Sequence, residues 1–310
     1  MGRLQDALTS HRSAYALLGS LVQPTNAQSK RDVGVAYARI AGILEKMGDR
    51  RGALVIQEKS LTEDEDFART DPRNMLLLRD VRIDYMKIAH LQSALGEMSA
   101  ALSNQRKCIA LCEGEVRANP ADARVRGELA EAYSALGDVL DKSGGKNEAL
   151  RYHQKALTIY LVLSKADPKD TERQGNVSES EMKIGDVQLE LGDVAKALAG
   201  YLDALAICEN LSGANPANAE QRSLLALIYE KLGKYYSLQA VKNLPPAQQL
   251  RNLKEARQWY EKSQDIWNDL QRHNPLVSDY ANHPAEVSRQ MARCVAVMTA
   301  NQNRSSAGGD

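Results

Sequence analysis

The chain has 310 residues, and its forty basic and forty acidic side chains give a formal net charge of zero at pH 7. This balance excludes the strong positive field that nucleic-acid binding requires. No apolar run reaches the roughly 20 residues of a spanning helix, and the first ten residues carry neither a signal-peptide pattern nor a myristoylation pattern. We expect a cytoplasmic protein with no nucleic-acid or membrane partner.

A fixed period organises most of the chain. Five of the nine prolines stand 48 residues apart, at Pro24, Pro72, Pro120, Pro168 and Pro216. Such periods are typical of stacked helical units, each of which covers the apolar face of its neighbour. In chain order, residues 1–23 are predicted to form an N-terminal half repeat or capping helix. Four regular units follow at about 25–72, 73–120, 121–168 and 169–216.

Each regular unit has the features of two antiparallel helices. Two residues after each repeat proline stands an Asn or Asp that can cap a helix start, at Asn26, Asn74, Asp122, Asp170 and Asn218. The turn between the helices is marked by Gly48, Gly96, Gly144 and Gly192. The first helix has an aromatic column, interrupted once by Glu181, at Tyr37, Tyr85, Tyr133 and Tyr229. A column of small residues follows, which predicts close helix contacts, at Ala41, Ala89, Gly137, Gly185 and Gly233.

The C-terminal part departs from this regularity. The fifth unit, 217–275, contains 11 extra residues near 241–251, where Pro245 and Pro246 predict a loop. Residues 276–300 are predicted to form a C-terminal capping helix, and the polar residues 301–310 a disordered tail.

The pattern resembles the tetratricopeptide repeat over about residues 25–275. In the fourth unit Ile184, Gly185, Gly192, Ala197 and Tyr201 match the family pattern; in the third, Tyr133, Leu136, Gly137, Gly144 and Ala149 do so. The resemblance implies an all-α fold, a right-handed superhelical solenoid of antiparallel helix pairs. The usual family unit has 34 residues, and the longer unit is similar to arrays C-terminal to the catalytic domain of some bacterial serine/threonine protein kinases.

No catalytic constellation is recognisable in the sequence. The segment Ser143 to Lys146 resembles a phosphate-binding loop only superficially, because Leu140 stands where the leading glycine belongs and Asn147 where the Ser or Thr belongs. Cys108 and Cys112 are four residues apart, but no further Cys or His has ligand spacing. We therefore expect no enzymatic activity, no cofactor and no metal.

The predicted binding surface is a concave groove lined by the first helices, as in other arrays of this kind. The predicted lining residues are Val35, Ile83, Met86, His90, Glu131, Asp138, Asp141, Glu179, Met182, Asp186, Glu230 and Lys234. One column reads Gly42, His90, Asp138, Asp186 and Lys234, so the Asn of the family's carboxylate clamp is missing. An apolar start and an acidic middle would suit a basic or amphipathic peptide, although ordinary solvated charges would give the same pattern.

These observations favour a non-catalytic protein–protein interaction scaffold that binds a peptide or partner segment. Its longer repeat suggests the C-terminal regulatory arm of a bacterial signalling kinase, and the alternative is a stand-alone adaptor or chaperone-like protein. The reading frame upstream of Met1 would separate these two. The third alternative is an enzyme with an unrecognised site, which would require a buried ionisable cluster that breaks the repeat columns.

Overall fold

The computed structural model describes Asp6, Thr9 and residues 27–241, 244–273 and 280–307. In these residues all regular structure is helical, as eleven helices: α1 Ala27–Lys46, α2 Arg50–Thr70, α3 Met75–Ala94, α4 Met98–Ala118, α5 Ala123–Lys142, α6 Lys146–Ala166, α7 Thr171–Glu190, α8 Val194–Ala214, α9 Ala219–Ala240, α10 Pro246–His273 and α11 His283–Ala307. The all-α class of contacting helix pairs is confirmed. The half repeat predicted for 1–23 lies outside the described residues, apart from Asp6 and Thr9.

The chain divides into two compact units, Met1–Ala156 and Leu157–Asp310, and the division falls within α6. In the first unit each helix from α1 to α5 contacts the next, and the same holds from α7 to α11 in the second. A core in the first unit includes Ile40, Leu54, Ile88 and Leu91. The second unit has two clusters, one around Tyr201, Leu225 and Tyr229 and one around Trp267 and Val287.

Helix starts and turns follow the predicted columns. The side chains of Asn74, Asp122, Asp170 and Asn218 each accept a backbone N–H of the first helical turn that follows them, whereas Asn26 lies outside the described residues. Gly48, Gly96, Gly144 and Gly192 have φ values of 82–88°, a left-handed conformation that favours glycine. Within the described residues, side-chain caps therefore mark the start of four helix pairs, and positive-φ glycines mark four of the turns.

Two C-terminal features differ from the predictions. The 241–251 insertion is not a loop throughout, because α10 already begins at Pro246 and is 28 residues long, against 21 in α8. Proline is tolerated at the first helical position, where its missing N–H has no intrahelical role. The last helix continues to Ala307, so the predicted boundary at residue 300 lies inside it. Residues 301–307 contain no Gly or Pro that would end a helix there.

The small column is small because a side chain of the second helix lies against it. A Cβ added to Gly185 would stand 2.8 Å from Tyr201 Cε1, and one added to Gly233 would stand 2.6 Å from Tyr260 Cε1. Gly137 faces His153 in the same way. In the first two units the same two positions hold Ala41 with Gln57 and Ala89 with Gln105. Where the second helix places an aromatic ring in this contact, the first helix has Gly, and where it places the thinner side chain of Gln, the first helix has Ala.

The substitution Gly185→Ala tests this pairing. Its Cβ would meet the ring of Tyr201 well inside the usual carbon contact distance of about 3.5 Å, and we expect unfolding in urea to show a loss of about 1–3 kcal/mol. In Gly185→Ala/Tyr201→Gln, which reproduces the Ala–Gln pair of the first units, the loss should be smaller than the sum of the two single losses. Gly175→Ala on the same helix meets no atom within 4 Å and should not destabilise. Additive losses would contradict the steric pairing.

A three-residue contact joins successive helix pairs. Tyr133 donates its hydroxyl to Glu113 Oε1 at 2.8 Å, twenty residues earlier, and Lys155 Nζ lies 5.0 Å from the Tyr133 ring centroid. Glu65, Tyr85 and Lys107 form the same arrangement, as do Glu209, Tyr229 and Lys262. In the fourth unit these positions hold Leu161, Glu181 and Asp203. All three members change together, and burial followed by Asp203 raises the pKa of Glu181.

Restoring this contact should stabilise the second unit. The triple variant Leu161→Glu/Glu181→Tyr/Asp203→Lys replaces two adjacent carboxylates with a charge-assisted hydrogen bond and a cation–π contact. We expect a gain of about 1–2 kcal/mol in urea unfolding. The single variant Glu181→Tyr lacks both the acceptor and the cation and should gain less. An equal gain in both variants would show that neither the acceptor nor the cation contributes to stability.

Candidate functional site

Two cavities lie beside α3 in the first unit, and Ile83 lines both. The first, which we call the acidic cavity, has a volume of about 160 Å³ and is lined in part by Val35, Ala38, Asp64, Asp80, Asp84 and Lys87. The second, which we call the arginine cavity, has a volume of about 240 Å³ and is lined in part by Arg79, Arg82, Met86, Cys112, Glu128 and Glu131. The predicted groove residues Val35, Ile83, Met86 and Glu131 are thus brought to two neighbouring cavities.

The acidic cavity contains a pair of carboxyl groups. Asp84 is only 4% exposed, and its Oδ1 accepts a hydrogen bond from Gln57 Nε2 at 2.5 Å. Burial, then the neighbouring Asp84, Asp80 and Glu63, raises the pKa of Asp64 to about 8. Burial also raises the pKa of Asp84, although its hydrogen bonds with Asp64 and Ser60, followed by Lys87 and Gln57, oppose this effect. Because two adjacent buried carboxyl groups cannot both ionise at low cost, the pair holds one shared proton near neutral pH.

This pair makes the free energy of unfolding depend on pH. Asp64 holds its proton in the folded chain at pH values where the unfolded chain has released it, so stability should fall as the pH rises from about 4 through about 8. Asp64→Asn cannot ionise, and we expect its urea midpoint to fall less than that of the wild type between pH 5 and pH 8. Asp66→Asn, an exposed control on the same helix, should keep the wild-type slope. Equal slopes for all three chains would contradict the shared proton.

The arginine cavity is built around a buried cation. Arg82 is 3% exposed, its Nη2 lies 2.6 Å from Glu128 Oε2 and 3.8 Å from Glu115 Oε2, and its Nη1 donates to Cys112 Sγ at 3.4 Å. Glu128 also receives Arg124 Nη1 at 2.9 Å, and Arg79 Nε lies 3.5 Å from it. A buried charge requires such partners, so this network ties α3 to α4 and α5.

Sequence reasoning missed Arg82, although a signal was present. Its column in the repeat otherwise holds Gly34, Ala130, Ser178 and Ala226, so Arg82 is the one large and charged member. A charged residue in a small, buried column has to find acidic partners on neighbouring helices. The Cys108 thiol, followed by the Arg82 guanidinium, lowers the pKa of Cys112 against the opposing effect of burial.

The other predicted groove residues of the first unit lie in polar contacts at the surface. His90 Nε2 lies 3.2 Å from Glu45 Oε1, and Asp141 Oδ1 accepts from Lys146 Nζ at 2.7 Å. Asp138 Oδ1 lies 3.8 Å from His153 Nε2 and keeps 41% of its side chain exposed. The Asp141–Lys146 pair and the positive φ of Gly144 identify residues 143–146 as a helix turn, so the lysine of the superficial phosphate loop is already paired.

In the second unit two predicted groove residues point inward, which corrects the prediction. Met182 is 6% exposed and belongs to the cluster around Tyr201. Glu230 stands at the same repeat position, where it accepts from Trp267 Nε1 at 2.6 Å and lies 2.9 Å from His283 Nδ1. In these two repeats the position that directly follows the aromatic column borders the core, whereas Met86, at the same position of the second repeat, lines the arginine cavity. Through Glu230, Trp267 and His283, α11 is held against the last helix pair.

The remaining predicted groove residues of the second unit differ in whether their charged groups are already paired within the chain. Asp186 accepts from Tyr201 OH at 2.8 Å, and its second oxygen lies 2.6 Å from Lys231 Nζ. Glu179 lies 2.9 Å from Lys183 Nζ on the same helix, and Lys234 is exposed. Most of the predicted acidic surface in this unit is therefore engaged within the chain.

Among the described residues, no group of three or more His, Cys, Asp or Glu side chains is placed to hold a metal ion. Within the same part of the chain, no helix combines the length and the apolar character needed to cross a bilayer.

Comparison with known proteins gives the same fold. Residues 129–167 match the tetratricopeptide repeat family model. BtubC (BKLC) from P. vanneervenii is similar in structure, with a TM-score of 0.63, 17% identity and coverage of 88% of this chain and 94% of that chain. The apo form of RapI has a TM-score of 0.53 at 12% identity, with coverage of 94% and 93%. A Rap protein complexed with competence and sporulation factor has a TM-score of 0.52 at 12% identity, with coverage of 96% and 72%.

No curated protein matches the chain. At these identities the structural matches establish the fold alone. The chain is therefore a helical-repeat protein with a tetratricopeptide-like fold, and residues 129–167 carry the repeat that the family model matches.

Proposed function

We propose that the chain is a non-catalytic protein-interaction scaffold whose first unit binds a partner segment along α1, α3 and α5. The observation that carries this proposal is the convergence of Val35, Ile83, Met86 and Glu131, from three successive repeats, on two neighbouring cavities. A surface composed of several repeats has the length to bind an extended or helical segment. Each cavity alone is smaller than the roughly 300–1,000 Å³ of a typical small-molecule site.

The chemistry of this surface defines the partner. Val35 is 49% exposed and begins an apolar stretch that continues with Ile83 and Met86. Glu131 and Asp138 follow on α5 with exposed carboxylates. We expect a segment that is apolar at one end and basic at the other, with its charges affecting the association rate more than the final affinity. A Rap protein of similar fold was solved in complex with competence and sporulation factor, which supports a binding role for such a fold.

The proposal extends to the molecular context. The long repeat is similar to the arrays that follow bacterial serine/threonine kinase domains, so we propose a regulatory arm of a signalling kinase as the context of this scaffold. The alternative is a stand-alone adaptor. The genomic reading frame upstream of Met1 tests this part, and a frame without a kinase domain would favour the adaptor.

Charge reversal on α5 tests the binding surface. In the double variant Glu131→Lys/Asp138→Lys, we expect affinity for a basic amphipathic peptide, selected from a peptide library on the wild-type chain, to fall at least tenfold at low salt. The wild-type affinity should also weaken as the ionic strength rises, because exposed charges are screened within about 8 Å at physiological salt.

The matched control changes the net charge equally on a different helix. Glu58→Lys/Asp66→Lys reverses two exposed acids of α2 and should bind as the wild type does in the same fluorescence-polarisation titration. Equal losses in the two double variants would show a general charge effect and would overturn the proposed surface.

A further inference from the structure

We propose that the acidic cavity is a pocket for one cationic side chain, an ammonium or guanidinium group, and that its entry expels the proton shared by Asp64 and Asp84. The claim that this pocket binds a basic residue of the partner segment rests on the proposed function. The presence of the pocket itself can be tested without any partner.

The buried carboxylate is the first observation that points to a ligand. Asp84 lines the cavity and is only 4% exposed. Among the described residues no other group is placed to donate to its Oδ2, so the proton shared with Asp64 is the donor available to this buried oxygen. A buried carboxylate requires a donor or a cation beside it. A cation that enters the cavity would take the place of that proton.

The size and walls of the cavity suit the stem of a single side chain. Val35, Ala38 and Ile83 supply apolar surface next to the carboxyl groups. Long cationic side chains bury their methylene groups along apolar surface while the charged end reaches its partner. Gly34 adds no bulk here, since a Cβ at this position would stand 3.4 Å from Asp64 Oδ1. A volume of about 160 Å³ has room for one such chain.

The charges around the cavity favour a cation over an anion. The cavity is lined by Asp80, Asp84 and Lys87 of α3 and by Asp64 of α2. Glu63, also on α2, is close enough to raise the pKa of Asp64. Glu63 itself accepts from Tyr37 OH at 3.0 Å. The residues of α1 that line the cavity, Gly34, Val35 and Ala38, carry no charge. The residues that line the cavity thus include three carboxyl groups and one ammonium group.

Cation entry and proton release are one exchange. Before binding, the Asp64–Asp84 pair holds one proton between two carboxyl groups. When the ammonium or guanidinium group enters, the O–H bond of the carboxyl breaks, the proton passes to solvent water, and both carboxylates face the new cation. The charge of the cavity is unchanged by this exchange. The apparent affinity should therefore rise up to about tenfold per pH unit where the pair is protonated.

The test uses n-butylguanidinium chloride and n-butylammonium chloride with the full chain. Binding is followed by nuclear magnetic resonance through the side-chain amide of Gln57, whose Nε2 donates to Asp84 Oδ1. We expect a saturable shift that tightens at least fivefold from pH 6 to pH 7.5. Neutral n-butanol and sodium chloride at equal concentration should give no saturable shift.

Two variants complete the experiment. Asp84→Asn should lose at least tenfold in affinity for either cation. Asp64→Asn keeps the Asp84 carboxylate but removes the shared proton, so its binding should depend on pH less than that of the wild type. Asp66→Asn should respond as the wild type does. A saturable shift with n-butanol, an unchanged affinity in Asp84→Asn, or the same pH dependence in Asp64→Asn would overturn the proposal.

The outcome is separable from that of the proposed function. If the cations bind as expected but Glu131→Lys/Asp138→Lys still binds peptide normally, the pocket stands and the partner surface along α5 is wrong. If peptide binding depends on Glu131 and Asp138 but the cations give no saturable shift, the scaffold stands and the acidic cavity does not take a cationic side chain.

Discussion

The close contact between the small position of the first helix and a buried side chain of the second is the constraint on which each helix pair depends. Tyr201, Tyr260 and His153 are almost fully buried against glycines that leave no room for a Cβ. Because protein interiors are close-packed, this contact fixes how near the two helices lie and which faces they present to the next pair. The hydroxyl group of the same side chain also forms a hydrogen bond, since Tyr201 OH donates to Asp186. The Tyr201 side chain therefore both fills the space between the two helices and holds the Asp186 carboxylate in place.

Positions that depart from the repeat columns carry the most specific chemistry of the chain. Arg82 stands in a column of small residues and requires Glu115 and Glu128. Glu181 stands in the tyrosine column, and its two contact positions change with it to Leu161 and Asp203. In a repeat protein the regular columns explain stability through nearest-neighbour contacts. Where a local rule fails, a second group must compensate or a function must be served. Compensation is visible for Arg82, whereas burial and the neighbouring Asp203 raise the pKa of Glu181.

The sequence was sufficient for features that are decided within one helix pair. Caps such as Asp122, turn glycines such as Gly144 and the close contact at Gly185 each depend on residues within about 20 positions, and all of them were predicted. The inward position of Glu230 was not, because it meets Trp267 and His283, which lie 37 and 53 residues away. The helical start at Pro246 was also missed, since a proline pair is compatible with either a loop or a first helical turn. The carboxyl pair of Asp64 and Asp84 required knowledge of which faces of α2 and α3 meet.

The acidic cavity links the stability of the first unit to its binding state. Without a ligand, Asp64 and Asp84 favour the protonated form, so the folded chain loses stability as the pH rises. A ligand that binds only the folded chain adds stability in proportion to the logarithm of its concentration over its dissociation constant. If that ligand is a cation that displaces the proton, its affinity increases with pH over the range in which the free fold weakens. The two effects oppose each other, so a partner-bound chain should depend less on pH than a free chain. A buried carboxyl pair that is unfavourable for folding alone thereby becomes favourable once a cationic side chain occupies the cavity.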